Sequence, residues 1–285
     1  MSDTTKFQLP LAYAQAFLFV PGNKPERFEK ALATKAQGVI IDLEDAVPPG
    51  QKTEARENIF QLLPKLFPLH GDRIVVRINA FGTEHFDADL SAVSSLPLAA
   101  VMLPKAESAE QLNLVKKSLA ANTMVIPMIE SAKGIDQLKA IASHPKTLRL
   151  TLGNIDLQAD LSFSCGDDEL ELLPLRYKLA LESRLAEIAP PIDGVTVDIY
   201  SLERLAKDVE RSRRLGFGGK LCIHPNQIDG VIAAFRPSAK ELEHARRVIA
   251  ADEISAGGAV QLDGRMIDKP VVMLAKRTIQ LATQS

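Results

Sequence analysis

A regular alternation of short apolar runs with longer amphipathic stretches limits the possible folds of this 285-residue sequence more than any other feature. The apolar runs that we predict to be strands are Ala16–Val20, Val39–Leu43, Ile74–Ile78, Ala100–Leu103, Val125–Ile129, Leu148–Leu152, Val195–Ile199 and Lys220–Ile223. The stretches with helical periodicity between them include Lys24–Lys35, Lys52–Leu66, Ala109–Ala120, Leu170–Ile188 and Leu202–Leu215. Repeated strand–helix units of this kind build a parallel sheet.

Eight such units predict the α/β class and a single (β/α)8 TIM barrel. The turn after the first strand, residues 20–25, lacks the GxGxxG spacing of a dinucleotide-binding sheet, which disfavours an open doubly wound fold. Three elements are predicted after the last strand: a helix near Ala239–Ala251, a loop over Ser255–Gly264 and a final helix around Pro270–Leu281. We therefore expect a catalytic barrel over residues 1–254 and, over 255–285, a lid-like segment and helix that contact a neighbouring subunit.

The net charge of −2 and the absence of a run of Lys and Arg exclude a broad attraction to nucleic acid. No segment reaches the apolar length of a membrane span, and residues 1–10 carry no apolar signal core, so cytoplasmic residence is expected. With two cysteines the chain does not build a disulfide framework.

In a (β/α)8 barrel the reactive residues follow the carboxyl ends of the strands, because the loops there surround the mouth of the barrel. The polar residues in these positions are Asp42, Glu44, Asp45, Arg77, Asn79, Lys105, Glu130, Asn154, Asp156, Asp198 and His224. The candidate functional residues are drawn from this set.

Two acidic residues, Glu130 and Asp156, end the fifth and sixth predicted strands, which are neighbours in a barrel. Their carboxylates can therefore converge on one point. Mg²⁺ prefers one or two carboxylates and completes its shell with water and substrate oxygens, so the pair fits a magnesium site. The lack of zinc-type Cys and His spacing disfavours structural zinc. Ion pairs at the barrel rim are the alternative for both acids.

Basic residues follow three other strands. The planar guanidinium of Arg77 matches a substrate carboxylate, and a structural pair with Glu44 or Asp45 is the alternative. Lys105 is assigned an electrostatic or structural role, since nothing in its sequence neighbourhood indicates the desolvation that a Schiff-base lysine needs. His224 is either an acid or base, or a hydrogen-bonded histidine of the rim.

Eight short segments, in this order and spacing, resemble the citrate lyase β-subunit-like branch of the HpcH/HpaI aldolase superfamily over nearly the whole chain. They are Phe17-Leu18-Phe19-Val20-Pro21-Gly22, Asp42-Leu43-Glu44-Asp45-Ala46-Val47, Val76-Arg77-Ile78-Asn79, Leu103-Pro104-Lys105, Ile129-Glu130-Ser131-Ala132-Lys133-Gly134, Gly153-Asn154-Ile155-Asp156-Leu157, Gly219-Lys220-Leu221-Cys222-Ile223-His224-Pro225 and Gly264-Arg265-Met266-Ile267-Asp268-Lys269-Pro270. Each segment alone is a weak indication of this family, whereas the eight segments together are a strong one.

The resemblance implies a (β/α)8 barrel, a Mg²⁺ ion held by Glu130 and Asp156, and a substrate carboxylate bound by Arg77. It also implies that Asp268 reaches the active site of an adjacent subunit as an acid or base, so a homo-oligomer, a trimer or hexamer, is expected. Without the resemblance, Asp268 is a solvent-facing cap of the last helix.

Further roles follow from the same assignment. Glu44 is expected to act in catalysis by orienting Arg77 and the water on the ion, together with Asp45. Asp45, Lys105 and Asn154 are the further candidates for substrate binding.

The implied reaction is cleavage, or formation, of a 3-hydroxy-3-carboxyalkyl thioester such as a citramalyl, malyl or citryl unit carried by CoA or acyl carrier protein. Its products are an oxo-acid, namely oxaloacetate, pyruvate or glyoxylate, and an acyl thioester. Two other functions stay open at this point: a Mg²⁺-dependent aldolase acting on free oxo-acids, and a non-catalytic barrel that binds an oxo-acid or serves as a partner subunit.

Overall fold

Eight parallel strands close into a barrel, in chain order, in the computed structural model, which describes residues 9–254 and 260–283. The strands are Ala16–Pro21 (β1), Gly38–Asp42 (β2), Ile74–Arg77 (β3), Ala100–Leu103 (β4), Met124–Ile129 (β5), Thr151–Leu152 (β6), Ile192–Asp193 (β7) and Gly219–Cys222 (β8). Strand β8 pairs with β1 through Ala16 and Lys220, which completes the ring. The predicted (β/α)8 fold is confirmed.

Apolar side chains fill the interior of the barrel. Phe17, Ile40, Val75, Met102 and Ile126 come from successive strands and belong to one buried cluster. Every residue of β2, β3, β4 and β5 is buried, because helices cover the outside of the ring while side chains fill its inside. The apolar runs in the sequence therefore predict these strands well.

Among the described residues, the helices as far as Leu202–Arg214 connect the strands and cover the barrel, and three further helices follow β8. In chain order the helices are Phe28–Leu32 (α1), Lys52–His70 (α2), Phe86–Ser94 (α3), Ala109–Ser118 (α4), Ala132–Asp136 (α5), Leu138–Ala142 (α6), Asn154–Asp160 (α7), Leu173–Leu185 (α8), Leu202–Arg214 (α9), Ile228–Phe235 (α10), Ala239–Ile254 (α11) and Lys269–Thr283 (α12). Serine side chains cap several helix N-termini. Those of Ser108, Ser131 and Ser201 cap α4, α5 and α9 by accepting the backbone N–H groups of Gln111, Gly134 and Arg204, respectively.

The seventh strand differs from its prediction. The alternating segment Val195–Ile199 is not a strand, and β7 is the earlier pair Ile192–Asp193. The carboxylate of Asp193 accepts a hydrogen bond from Arg176 Nε at 3.0 Å, which anchors the end of the strand. The chain then leaves the barrel, so that Val197 is 63% exposed and Asp198 is an exposed turn residue. Alternation alone cannot locate a strand whose ends are decided by tertiary partners.

Several helix and loop boundaries also differ. The predicted helix Lys24–Lys35 is a 3₁₀ turn, Pro25–Arg27, followed by the short α1. The predicted helix Leu170–Ile188 likewise begins with a 3₁₀ turn, and its α-helical part ends at Leu185. Part of the predicted loop Ser255–Gly264 is a strand, and its residues 255–259 lie outside the described residues.

The chain divides into two compact units, Met1–Ile232 and Ala233–Ser285. In the second unit, Val260–Leu262 (β9) and Arg265–Ile267 (β10) form an antiparallel hairpin. Ala245 and Val248 of α11 belong to one small core with Ile267, Val272 and Ala275. This packing groups α11 with the C-terminal segment, whereas the domain boundary predicted at residue 254 groups it with the barrel.

Within the described residues, no helix combines the length and the apolarity that crossing a membrane requires. Cys165 and Cys222 are both free cysteines, and burial raises the pKa of the Cys222 thiol to about 12. Neither environment activates a thiolate at neutral pH.

A buried arginine stabilises the end of the barrel opposite its mouth. The guanidinium of Arg149 is fully buried and donates to the carbonyl oxygens of Leu11 at 3.0 Å, Ala14 at 2.6 Å and Pro190 at 2.7 Å. It also lies 5.5 Å from the centre of the Phe17 ring. Burial lowers the pKa of Arg149 to about 9, so the side chain remains a cation at neutral pH.

Replacing this cation is expected to destabilise the barrel. Arg149→Met fills a similar volume but leaves three buried carbonyl groups without donors, so the free energy of unfolding should fall by about 3 kcal/mol. Chemical denaturation monitored by circular dichroism measures the loss. The matched control is Arg214→Met, at an exposed arginine of α9, and its effect should stay below about 0.5 kcal/mol. Equal stability of the two variants would contradict this role.

Candidate active site

Arg77, the last residue of β3, is held by two acids of the segment that begins at the end of β2. Its Nε and Nη2 donate to the two carboxylate oxygens of Asp42, at 2.7 and 2.6 Å, and its Nη1 lies 2.9 Å from Glu44 Oε2. The guanidinium also lies over the ring of Phe19, 4.6 Å from its centre. Because a guanidinium has five N–H donors in a plane, this arrangement fixes its orientation and leaves donors for a further anion.

Glu44 carries an unsatisfied buried oxygen. Its Oε2 has no hydrogen-bond donor among the described residues, because the approach of Arg77 Nη1 has the distance but not the angle of a hydrogen bond. Burial raises the pKa of Glu44 to about 8, and this effect outweighs the attraction of Arg77, while Asp45, Glu130 and Asp42 raise the pKa further. Without further positive charge nearby, the buried Glu44 is therefore mostly protonated at neutral pH.

A buried lysine fixes the loop that carries Glu44. Lys52 is 6% exposed, and its Nζ donates to the carbonyl oxygens of Leu43 and Glu44, at 2.7 and 2.8 Å, and to Asn79 Oδ1 at 2.9 Å. The backbone N–H of Asn79 donates to the buried carboxylate of Asp89 at 2.8 Å. These hydrogen bonds hold the main chain of the loop, as a supporting layer holds a reactive group.

Glu130 ends β5 and is nearly inaccessible to solvent, at 3% exposure. Its Oε1 accepts the backbone N–H of Lys105 at 2.8 Å. Burial first, and the charge of Asp156 second, raise the pKa of Glu130 to about 7. A nearby cation strongly stabilises the ionised form of a buried carboxyl group whose pKa is raised.

Asp156 lies in the first turn of α7, which begins directly after β6. Its Oδ1 is 3.6 Å from Lys105 Nζ, a loose ion pair in which both side chains are partly exposed. Burial lowers the pKa of Lys105, but Asp156 and Glu130 raise it by more, so this lysine stays charged and is not a Schiff-base nucleophile. Lys105 adopts a left-handed backbone conformation, with φ of 45°, which aims its N–H at Glu130.

Arg77, Glu130 and Asp156 line one cavity of about 820 Å³ at the mouth of the barrel, whereas Glu44 and Lys105 are not among its lining residues. Among the residues that line it are Asp42, Asp45, Arg77, Glu130, Asn154, Asp156 and His224. The tertiary structure thus brings the predicted acids and Arg77 together in a space large enough for a small acid with a thioester.

Asn154 lines this cavity, but its side-chain amide is engaged by the backbone. Its Nδ2 donates to the Val195 carbonyl oxygen at 3.0 Å, and its Oδ1 accepts the Val195 N–H at 2.9 Å. These two bonds join the end of β6 to the segment after β7, where strand pairing has stopped. The geometry gives Asn154 this structural task, and its predicted contact with substrate stays a prediction.

A protein-family model described as "HpcH/HpaI aldolase/citrate lyase" matches residues 15–225, a range that contains the barrel and every residue of the cavity. The chain belongs to the HpcH/HpaI aldolase/citrate lyase family.

Individual members of this family match over almost their full length. A citrate lyase subunit beta-like protein of Mycobacterium tuberculosis is 36% identical over 281 residues, 96% of this chain and 97% of the relative. A (3S)-malyl-CoA thioesterase of Cereibacter sphaeroides is 32% identical over 271 residues, 94% of each. A crystal structure of CitE from M. tuberculosis in complex with magnesium, acetoacetate and coenzyme A superposes with a TM-score of 0.86 at 36% identity, covering 95% of this chain and 99% of that one.

Family membership makes this chain a lyase-family enzyme with magnesium as its cofactor, as predicted. The residues present fit that ion. Over 9–254 and 260–283 no cluster of three or more His, Cys, Asp or Glu side chains is arranged to hold a metal. The two carboxylates of Glu130 and Asp156 are close enough for the charge of Asp156 to raise the pKa of Glu130. Glu130, with a raised pKa, and Asp156 beside it would hold magnesium while leaving positions for substrate and water. Positive charge nearby would also stabilise the unsatisfied Oε2 of Glu44.

Asp268 lies in the second unit, between the β9–β10 hairpin and α12. Its Oδ1 accepts the backbone N–H of Val271 at 3.3 Å, and its side chain is exposed. It therefore caps α12, which is the structural alternative noted for it in the sequence. Its role in an adjacent active site stays a prediction.

Three residues of the site were not assigned a role from the sequence. Asp42 was noted only as a polar residue at a strand end, although it is the main partner of Arg77. Lys52 was one polar position of a predicted helix. Gly153 permits the approach of Glu130, because a Cβ there would lie 2.1 Å from Glu130 Oε2. In the sequence, Gly153 stands between a predicted strand and the predicted ligand Asp156. A glycine at such a position was the signal that another group approaches the main chain closely.

Proposed function

We propose that this protein is a Mg²⁺-dependent carbon–carbon lyase that cleaves, or forms, a 3-hydroxy-3-carboxyalkyl thioester. The products of cleavage are an oxo-acid and an acyl thioester. The observation that carries the proposal is the convergence of Glu130, Asp156 and Arg77 on one cavity. The M. tuberculosis relative, whose structure contains magnesium, acetoacetate and coenzyme A, supports a site for an oxo-acid beside a thioester carrier.

Cleavage breaks the bond between the carbon that bears the hydroxyl and carboxylate groups and the α-carbon of the thioester. The hydroxyl loses its proton and becomes the carbonyl of the oxo-acid, while the bonding electrons pass into the thioester as an enolate. A proton added to the α-carbon of this enolate then completes the acyl thioester. Magnesium, when bound, lowers the cost of ionising the hydroxyl and neutralises the substrate carboxylate.

The side chains of the chain have distinct tasks in this reaction. Arg77 binds the substrate carboxylate with the N–H groups that Asp42 leaves free, and Asp42 and Glu44 keep the guanidinium in its plane. Lys105, which stays charged, attracts the incoming acid, while Asp45 lines the cavity with its carboxylate 3.8 Å from Arg77 Nη1. Both of these roles follow the sequence predictions.

Asp268 is the proposed proton donor to the enolate, supplied by an adjacent subunit of a homo-oligomer, a trimer or hexamer. Its carboxyl group is exposed and lies at a helix N-terminus, which is accessible to a second chain. A general acid must come within hydrogen-bond reach of the atom it protonates, so this role requires assembly.

The carrier is proposed to be CoA. Arg27 and Lys30 line the same cavity as the acids, on the segment that follows β1. Both are exposed cations, suited to the phosphates of a carrier whose thioester reaches inward.

The test uses the purified protein with Mg²⁺ and citramalyl-, malyl- and citryl-CoA. We expect release of pyruvate, glyoxylate or oxaloacetate from at least one of them, measured by coupled reduction of the oxo-acid, with no free thiol formed. Chelation of the metal should abolish the release. Absence of oxo-acid from all three substrates would refute the lyase.

A second candidate is hydrolysis of a malyl-type thioester at the same site, which the 32% identity to the C. sphaeroides thioesterase favours. Hydrolysis releases the free CoA thiol and leaves the carbon skeleton of the acid intact. Following thiol and oxo-acid in the same reaction separates the two functions: the lyase yields only oxo-acid, and the thioesterase yields only thiol.

A further inference from the structure

His224 lines the cavity from the strand opposite the proposed acid site. It follows β8, and in a closed ring of eight strands in chain order β8 lies across from β4, which stands between Arg77 on β3 and Glu130 on β5. Strand β8 also pairs with β1, after which the cations Arg27 and Lys30 follow. A substrate that reached from the acid site to these cations would therefore pass His224 with the atoms between its acid end and its carrier.

The backbone of His224 is rigidly held. The buried Gln227 accepts the N–H groups of Ile223 and His224 at Oε1, at 2.9 and 3.3 Å, and donates from Nε2 to the Thr196 carbonyl oxygen at 2.8 Å. Gln227 is 1% exposed, so these bonds are shielded from water. The imidazole is presented from a fixed main chain.

Hydrogen bonding also decides which ring nitrogen carries the proton. His224 Nδ1 accepts the backbone N–H of Asn226 at 3.2 Å, as the N-cap of the turn Pro225–Gln227. An accepting Nδ1 has no proton, so the neutral ring carries its proton on Nε2. The nitrogen that the cap does not use is thus a hydrogen-bond donor.

We infer that His224 donates a hydrogen bond from Nε2 to the thioester carbonyl oxygen of the substrate. This inference rests on the proposed lyase function. Negative charge reaches this oxygen as the carbon–carbon bond breaks and the enolate forms, and a fixed donor stabilises that charge. The proton stays on His224 throughout, so no acid or base is consumed in the step.

Two substitutions separate this role from the capping role. His224→Asn keeps a side-chain oxygen that caps the turn, because Asn is a good N-cap residue, but it does not reach the position of Nε2. His224→Gln has an amide nitrogen at about the distance of Nε2 and is a poor cap. If hydrogen-bond donation matters for turnover, His224→Gln should be more active than His224→Asn. If only capping matters, His224→Asn should be the more active variant.

We expect kcat of His224→Asn to fall about 100-fold, with KM within about threefold and an unchanged Tm. His224→Gln should have a kcat at least about ten times that of His224→Asn, despite a lower Tm. A wild-type kcat in the Asn variant, or a kcat in the Gln variant no higher than in the Asn variant, overturns the inference.

A measurement without turnover keeps this test separate from the lyase proposal. With isotope-labelled acetyl-CoA and Mg²⁺, the infrared stretch of the bound thioester carbonyl should move to lower frequency in the wild type and in His224→Gln, but not in His224→Asn. An identical carbonyl frequency in all three proteins overturns the inference. If the frequencies differ as expected while the wild type releases no oxo-acid, the lyase proposal alone fails.

Discussion

Glu130→Gln is expected to lower Mg²⁺-dependent turnover by at least about 1000-fold, because an amide replaces one of the two carboxylates proposed to hold the ion. The substitution keeps the volume of the side chain and its acceptor for the Lys105 N–H. Steady-state oxo-acid release measures the turnover, and calorimetric titration with Mg²⁺ measures the lost binding.

The same substitution should stabilise the metal-free protein, which distinguishes a lost ligand from a misfolded chain. Burial and Asp156 raise the pKa of Glu130 from 4.5 to about 7. A carboxyl group whose folded-state pKa is raised is costly to ionise in the native state, so the wild type loses stability as the pH rises from about 4.5 through 7. Above pH 7 the cost is on the order of 3 kcal/mol. A Gln side chain does not ionise and so avoids this cost. Tm of the Glu130→Gln variant at pH 8 without metal should therefore rise by roughly 5–10 °C.

Proton and metal compete for Glu130, so Mg²⁺ affinity of the wild type should fall by about tenfold for each pH unit below 7. Glu110→Gln, at an exposed glutamate of α4, is the matched control and should leave activity, metal affinity and Tm unchanged. A Glu130→Gln variant that turned over like the wild type, or that bound Mg²⁺ equally well, would contradict the assignment of this ligand.

Asp268→Asn is expected to lower kcat by about 100- to 10000-fold, the range for removal of a general acid or base, while oxo-acid binding is retained. Asn also caps helix N-termini, so the hydrogen bond to the Val271 N–H and the stability of α12 should be preserved. Turnover and fluorescence-detected binding of the oxo-acid separate the two effects. Asp263→Asn, at an exposed carboxylate of the same unit, is the control.

Subunit mixing tests whether Asp268 acts across subunits. An Asp268→Asn chain retains an intact Glu130, and a Glu130→Gln chain retains an intact Asp268, so mixed oligomers should regain part of the wild-type activity. Each parent alone should keep only its reduced activity. Activity of the mixture no greater than the sum of the parents, with exchange of subunits verified, would place Asp268 outside the neighbouring site.

Strand periodicity and strand-end chemistry in the sequence were sufficient for the barrel and for most of its candidate residues. A buried parallel strand such as β5, Met124–Ile129, has a uniformly apolar sequence, and Glu130 and Asp156 follow the ends of β5 and β6. Local information failed at β7. Val195–Ile199 alternates as a strand does, but the partners Asn154 and Arg176 decide where pairing stops.

The amino-acid order alone therefore established how many strand–helix units there are and which acids and bases stand at the mouth of the barrel, since both depend on short-range patterns. Tertiary structure alone determined that Asp42 holds Arg77, that Lys52 supports Glu44, and that the amide of Asn154 binds Val195. It also set the raised pKa values of Glu44 and Glu130. Partner choice and desolvation depend on groups far apart in the chain, and closure of the barrel is what brings those groups together.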